Sequence, residues 1–357
     1  MKSLIFQNHL NYEFISRVTR WHINYYFLGR GRPISVGTYI TDVCNSRCVM
    51  CNIWKNKKPS TYPRVYQEQA IDALAHAGCF YYSISGGEPT TVKDLPERLA
   101  YAAKKIPYVR FTTNGLSMTP ELVRSFNASG VKEIGISIDG TDEYHNMVRG
   151  RPDAAEKVWN SLELLCSNAP KIQIVVNSVL TPHNLDGLRE VKKRLSRFSK
   201  VLQKYLPVTF HELFGTQDLK SLPIHLEAAT NAEMDKFIDE AILSPRIINS
   251  SIFLKKAKRF FKGEINVMPE QKRCLYAYHA MEFDPEGFAY PCRTGMNSKN
   301  GIPPVNDLTE FFKTAAYRTA QKKLESCTKC QGSMMLCYYE PRLNFPLPRL
   351  LYYAFKQ

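Results

Sequence analysis

Three cysteines fall within eight positions in "TDVCNSRCVMCNIW", residues 41–54: Cys44, Cys48 and Cys51. Thiolates are soft ligands, and a tight loop carrying three of them suits zinc or an iron–sulfur cluster. Structural zinc closes its four positions with protein ligands, yet no His or Cys follows Cys51 until His76. Three thiolates fit better a 4Fe–4S cluster in which the protein holds three irons and leaves the fourth to a small molecule. The ten cysteines fall mostly into this group and a late one, Cys274, Cys292, Cys327, Cys330 and Cys337. In a reducing compartment such grouping points to metal rather than to a disulfide framework. Cys79 and Cys166 lie in or beside helical stretches and read as buried apolar residues.

The elements that must position these loops alternate. Short apolar runs at 34–40, 80–85, 108–113, 133–139, 172–180 and 207–213 read as strands. Helical stretches separate them at 65–78, 94–106, 119–130, 155–168 and 184–198. Six strands separated by helices predict right-handed crossovers and a parallel sheet, open or curled partway into a barrel. In such sheets chemistry gathers at the carboxyl ends of the strands, which is where the first cysteine loop and the later motifs fall.

Residues 1–33 carry Phe14, Val18, Trp21, Tyr25 and Leu28 at four-three-four-three spacing, the stripe of an amphipathic helix in a basic setting. Packing of that stripe on the domain is the plain reading, and a membrane-surface helix the competing one. Helices at 231–243 and 251–263 precede the late cysteines, and Lys255, Lys256, Lys258, Arg259 and Lys262 make the second of them basic, read first as a solvated face. The chain thus divides into an N-terminal helix (1–33), a core (34–215), a helical linker (216–273), a cysteine-rich segment (274–340) and an amphipathic tail (341–357).

The 357 residues carry a formal net charge of +15, with 44% hydrophobic and 23% charged residues. This is a globular composition, and the charge favours an anionic partner without naming one. No stretch is long and apolar enough to span a bilayer and no secretory leader is recognisable, so the expectation is a cytoplasmic protein.

Cys-x3-Cys-x2-Cys at the end of a first strand resembles the radical S-adenosylmethionine (SAM) superfamily, and "SISGGEP" ending the second strand strengthens the likeness. The fold it implies is α/β, a partial (β/α)6 barrel of parallel strands with a small cysteine-rich extension. By the resemblance Cys44, Cys48 and Cys51 hold a SAM-binding 4Fe–4S cluster, and Gly86, Gly87, Glu88 and Pro89 meet the methionine amine of SAM. Glycines let the backbone approach closely and Glu88 can accept from an ammonium. "FTTNG", "SIDG" and "YHNMVRG" follow in order. Ser137 and Asp139 are then candidate ribose contacts, with strand-end capping as the alternative, and Asn177 a candidate polar SAM contact. Where the family has an aromatic residue before the third cysteine this chain has Met50, whose thioether can still pack on adenine.

Cys-x12-Gly-x4-Cys from Cys274 to Cys292, then "CTKC", resembles the front of the SPASM extension and best matches its shorter twitch form. That implies one auxiliary 4Fe–4S cluster on Cys274, Cys292, Cys327 and Cys330, with Cys337 spare; a four-thiolate zinc site is the alternative. The activity implied is reductive cleavage of SAM to a 5′-deoxyadenosyl radical, fed by an external one-electron donor such as flavodoxin or ferredoxin, and hydrogen abstraction from a substrate. No residue is assigned a catalytic role. The basic aromatic N-terminus and the tail, with Leu350, Leu351, Tyr352, Tyr353 and Phe355 beside Arg349 and Lys356, point to a membrane-proximal lipid or prenyl-type substrate. Peptide maturation and sugar or alcohol oxidation are the alternatives. A non-catalytic zinc protein gripping nucleic acid is the reading from another class, and no nucleic-acid motif supports it.

Overall fold

The computed structural model describes residues 12–28, 31–208, 229–264, 274–296, 301–303, 308–330 and 334–335. Six parallel strands run in sequence order, each bonded to the next: β1 (Ser35–Tyr39), β2 (Tyr81–Ser85), β3 (Tyr108–Thr113), β4 (Glu133–Ser137), β5 (Gln173–Leu180) and β6 (Leu202–Pro207). The crossovers carry α2 (Arg64–Ala77), α3 (Leu95–Lys105), α4 (Pro120–Ser129), α5 (Asp142–Arg149), α6 (Ala154–Asn168) and α7 (Leu185–Leu195), after α1 (Tyr12–Leu28). Then come α8 (Asn231–Leu243), α9 (Ser251–Phe261), α10 (Tyr276–His279), β7 (Ala280–Phe283), β8 (Ala289–Tyr290), α11 (Leu308–Phe311) and α12 (Ala315–Leu324). The strand order β6-β5-β4-β3-β2-β1-β7-β8 makes one open, mostly parallel sheet, the expected partial barrel.

Alternation along each strand divides the side chains. On β3, Val109 and Phe111 join the main core under the helices. Tyr108 and Arg110 instead bond to the buried carboxylate of Glu133 on β4, each at 2.7 Å. Burial penalises the Glu133 charge, but Arg110 and then Lys204 of β6, 3.8 Å away, outweigh it and hold the carboxyl below its ordinary value. The inner face of the sheet is therefore polar while its outer face is apolar.

Two elements differ from expectation. The sixth strand is Leu202–Pro207, upstream of the expected 207–213, of which 209–213 lie outside the described residues. Lys204 and Gln203 break the apolar run that periodicity seeks, yet alternate residues of this strand are buried. The second is β7, which lies in the cysteine-rich segment and forms a hairpin with β8 yet pairs in parallel with β1, so that this segment extends the core sheet.

Of the N-terminal stripe, Val18, Trp21 and Tyr25 pack on the domain. Val18 and Trp21 are buried with Ile34, Phe80, Tyr108 and Tyr278, and the Trp21 indole donates to the Tyr278 carbonyl at 3.0 Å. The basic face of α9 is largely neutralised locally: Lys258 meets Asp239 and Lys262 meets Asp235 on α8, and Arg259 meets Glu264. No described helix is long and apolar enough to cross a membrane. Residues 341–357 and Cys337 lie outside the described residues. Replacing Trp21 by Ala removes a large buried ring and its hydrogen bond, so the unfolding free energy is expected to drop by about 3 kcal/mol in chemical denaturation.

Candidate active site

Cys44, Cys48 and Cys51 occupy the loop that leaves the carboxyl end of β1. The turn after β2 is spliced to it: the amides of Gly87 and Glu88 donate to the carbonyls of Thr41 and Val43 at 2.6 and 2.7 Å. Glycine is required at both positions of the turn. Gly86 has φ +146, and a Cβ on Gly86 or Gly87 would fall 2.5 Å from the Thr41 oxygen or 2.3 Å from the Val43 oxygen. Pro89 opens the short 3-10 turn that follows.

Glu88 is buried and its carboxylate is fully engaged. It accepts from the Thr90 amide (3.1 Å), the Thr90 hydroxyl, the Thr113 hydroxyl and the Asn114 amide (each 2.7 Å). Burial raises its pKa and these donors, led by the Asn114 amide, pull it back, leaving it above the ordinary value. Glu88 thus ties the end of β2 to the end of β3. Asn114 carries the tie onward, donating to Asn45 inside the cysteine loop at 2.7 Å.

The far side of the loop leans on α5. Ser46 donates to the Arg149 carbonyl, and the Arg47 and Val49 amides donate to the carbonyls of Arg149 and Val148. The Arg149 guanidinium binds Asp139 at 2.6 and 2.7 Å and reaches the Cys48 sulfur at 3.8 Å. Asp139 is fully buried and also accepts from the Val179 amide at 2.9 Å. Burial opposes its charge, but the Arg149 guanidinium above all overcomes this and holds the carboxyl well below the usual range. Ser137 ends β4 opposite Asn177 of β5, and Asn177 sits against Arg110 over the bare face of Gly135. Met50 lies half-buried in the cysteine loop.

The donor set suits an iron–sulfur cluster. Three cysteine thiols share one loop, a guanidinium faces one of them, and the Trp54 indole donates to the Cys48 carbonyl at 3.3 Å. With no metal bound, burial pushes the Cys44 thiol up to about 12 and Cys51 to about 11, so iron must displace their protons and assembly is favoured by rising pH. Arg149 and Trp54 escaped sequence reasoning; their only signals were "YHNMVRG" and the tryptophan three residues after Cys51.

The late cysteines also converge. Gly295 donates to the Cys292 sulfur at 3.3 Å, and a Cβ on Gly295 would lie 3.4 Å from both the Cys292 and Cys327 sulfurs. Burial first, then Glu282, Cys330 and Cys274, push the Cys292 thiol well up. The Cys274 amide is held by the Glu325 carbonyl.

Two outcomes follow. Glu88→Gln leaves one amide hydrogen facing a donor and removes a charge-assisted acceptor, so stability should fall by about 3 kcal/mol in denaturant titration, with weakened iron retention. His145 accepts the Asp139 amide at 3.2 Å on Nδ1, and burial holds its pKa below 6.5 despite Asp139. The unfolded chain therefore binds this proton more readily, and melting temperature should fall as pH drops through about 6.5, less steeply in His145→Gln.

Residues 38–195 match the family model described as "Radical SAM superfamily". Mycofactocin maturase MftC of Mycolicibacterium smegmatis is 33% identical over 177 residues, 49% of this chain and 45% of that protein. AdoMet-dependent heme synthase of Methanosarcina barkeri is 32% identical over 162 residues, 44% of this chain and 45% of that protein. The chain thus spans less than half the length of these relatives. Among solved structures, Streptococcus suis SuiB bound to precursor peptide SuiA superposes with a TM-score of 0.66 over 95% of this chain and 79% of that one, at 16% identity, a likeness of fold. The matched segment, residues 38–195, is thus similar to the radical SAM superfamily, a family whose members bind a 4Fe–4S cluster and SAM.

Proposed function

We propose that this protein is a peptide-modifying radical SAM enzyme, with Cys44, Cys48 and Cys51 holding the SAM-binding cluster. The cysteine loop pinned between the Glu88 tie and the Arg149–Asp139 pair carries this reading. When bound, the cluster supplies the electron that splits SAM into methionine and a 5′-deoxyadenosyl radical. The chain's own work is to hold and enclose. Arg149 places positive charge beside the Cys48 sulfur, countering the negative charge of thiolates in a poorly solvated loop. Ser137 and Asn177, paired across β4 and β5, would be the polar groups that orient SAM. The Asp139 carboxylate is spent on Arg149 and the Val179 amide, which favours a positioning role for it over a direct ribose contact.

Support for a peptide substrate comes from the relatives. Besides MftC, the sporulation killing factor maturation protein SkfB of Bacillus subtilis is 27% identical over 163 residues. The solved structures of similar fold include SuiB with its precursor peptide and anSMEcpe with AdoMet and peptide. A peptide is thus better supported than the lipid or prenyl-type substrate expected from the basic aromatic ends. An auxiliary cluster on Cys274, Cys292, Cys327 and Cys330 would pass an electron to or from the substrate, making oxidation a natural outcome. A cytoplasmic ferredoxin or flavodoxin is the proposed donor.

Anaerobic incubation with dithionite and SAM should yield 5′-deoxyadenosine, and Cys44→Ala should abolish it. Iron content should be about eight per chain, falling to about four in Cys292→Ala/Cys327→Ala with SAM cleavage retained. Deuterium from a labelled peptide fraction of host lysate should enter 5′-deoxyadenosine; transfer from a lipid or tetrapyrrole fraction alone would overturn the peptide reading.

A further inference from the structure

A cavity of about 280 Å³ opens at the amino-terminal end of the sheet, remote from the cysteine loop. Arg17 and Arg20 of α1 and Arg32 line it together with Asn24, Trp21 and His76, and among the described residues no carboxylate does. The carbonyl end of α2 also borders it through Ala77 and Gly78. That helix end contributes about half a negative charge, and its carbonyls are already engaged by the Gly78 and Cys79 amides. Three guanidinium groups outweigh it. Arg17 further donates to the Cys79 carbonyl at 2.7 Å, which fixes one wall of the cavity.

The same helix shows a second feature. Val18 and Trp21 anchor one side of α1 to the domain, yet Ile15, Ile23, Tyr26 and Phe27 on the outward side are exposed, Phe27 by 82%. At helical spacing Ile23, Tyr26 and Phe27 form an apolar patch, with Ile15 two turns away on the same side beyond Thr19, and Arg17, Arg20 and Asn24 run along its flank toward the cavity. A soluble surface has no use for such a face, and a protein partner of unspecified kind would not require guanidinium groups gathered in a concavity beside it. An anionic membrane surface satisfies both, because apolar side chains enter the acyl boundary while cations meet headgroup phosphates.

We infer that α1 docks this protein on anionic lipid bilayers, with a headgroup phosphate seated in the cavity of Arg17, Arg20 and Arg32 and with Ile15, Ile23, Tyr26 and Phe27 entering the interface. The inference concerns where the enzyme works and is independent of what it acts on. The overall charge of +15 adds long-range attraction but does not locate the contact, so the test must separate this site from general basicity.

The full chain, carrying its clusters, is co-sedimented with vesicles of phosphatidylcholine alone and of phosphatidylcholine doped with phosphatidylglycerol. Association with the doped vesicles only, weakening with added salt, is expected. Arg20→Gln and Arg32→Gln should each weaken it about five-fold, and Phe27→Ser at least about ten-fold. The control Lys192→Gln/Lys193→Gln, on α7, should change it less than Arg20→Gln/Arg32→Gln. Inorganic phosphate should release the protein more effectively than chloride at equal ionic strength. No sedimentation with doped vesicles would overturn the inference, as would equal losses in the control and the arginine variants, or tight phosphate binding without vesicle association. Formation of 5′-deoxyadenosine in all these variants should match the parent, so failure here and failure of the radical SAM reading are told apart.

Discussion

The structure depends on one buried carboxylate. Glu88 collects four donors from the ends of two neighbouring strands, and the backbone on its amino side is laid against the cysteine loop through Gly86 and Gly87. A negative charge taken out of water is costly unless its lone pairs are satisfied, so each donor must stay in place for the charge to be tolerated. Three separate segments, the loop after β1, the turn after β2 and the turn after β3, thereby become one rigid body. That rigidity is what a loop of three thiolates needs, since their spacing must be set before iron arrives.

The opposite side of the loop has its own polar anchor of a different kind. Asp139, Arg149 and His145 form a compact buried group at the end of β4 and on α5, and α5 meets the cysteine loop with its carbonyl end. The sheet contributes little chemistry of its own here. Its apolar outer face fixes the strands, and its inner face presents Arg110, Glu133 and Lys204 as a linked set.

Much of this was legible beforehand because it rests on periodicity and on glycine. The first five strands and their helices announce themselves by alternation and by 3.6-residue spacing, and the cysteine and Gly86–Glu88 motifs are spelled out in order. Long-range pairing is what escaped. The pairing of β7 with β1 joins Ala280 to Ser35, a contact no local pattern encodes. Gln203 and Lys204 disguised β6 because a strand lining a polar interior does not look apolar. Glu88 was read for what its charge might hold outside the protein, whereas its inward partners, Thr113 and Asn114, belong to another strand and could be found only in three dimensions.

The attachment of β7 to β1 has a bearing on how the chain is made. Strands β1 to β6 can pair successively as the polypeptide leaves the ribosome, whereas the outer edge of β1 finds its neighbour only after residue 283 has emerged. Until then an unpaired strand edge stands open beside the nascent cysteine loop, a surface prone to mispairing between chains. Chaperone shielding, or early delivery of iron to that loop, would shorten the exposure, so yield during heterologous production should depend on the supply of both.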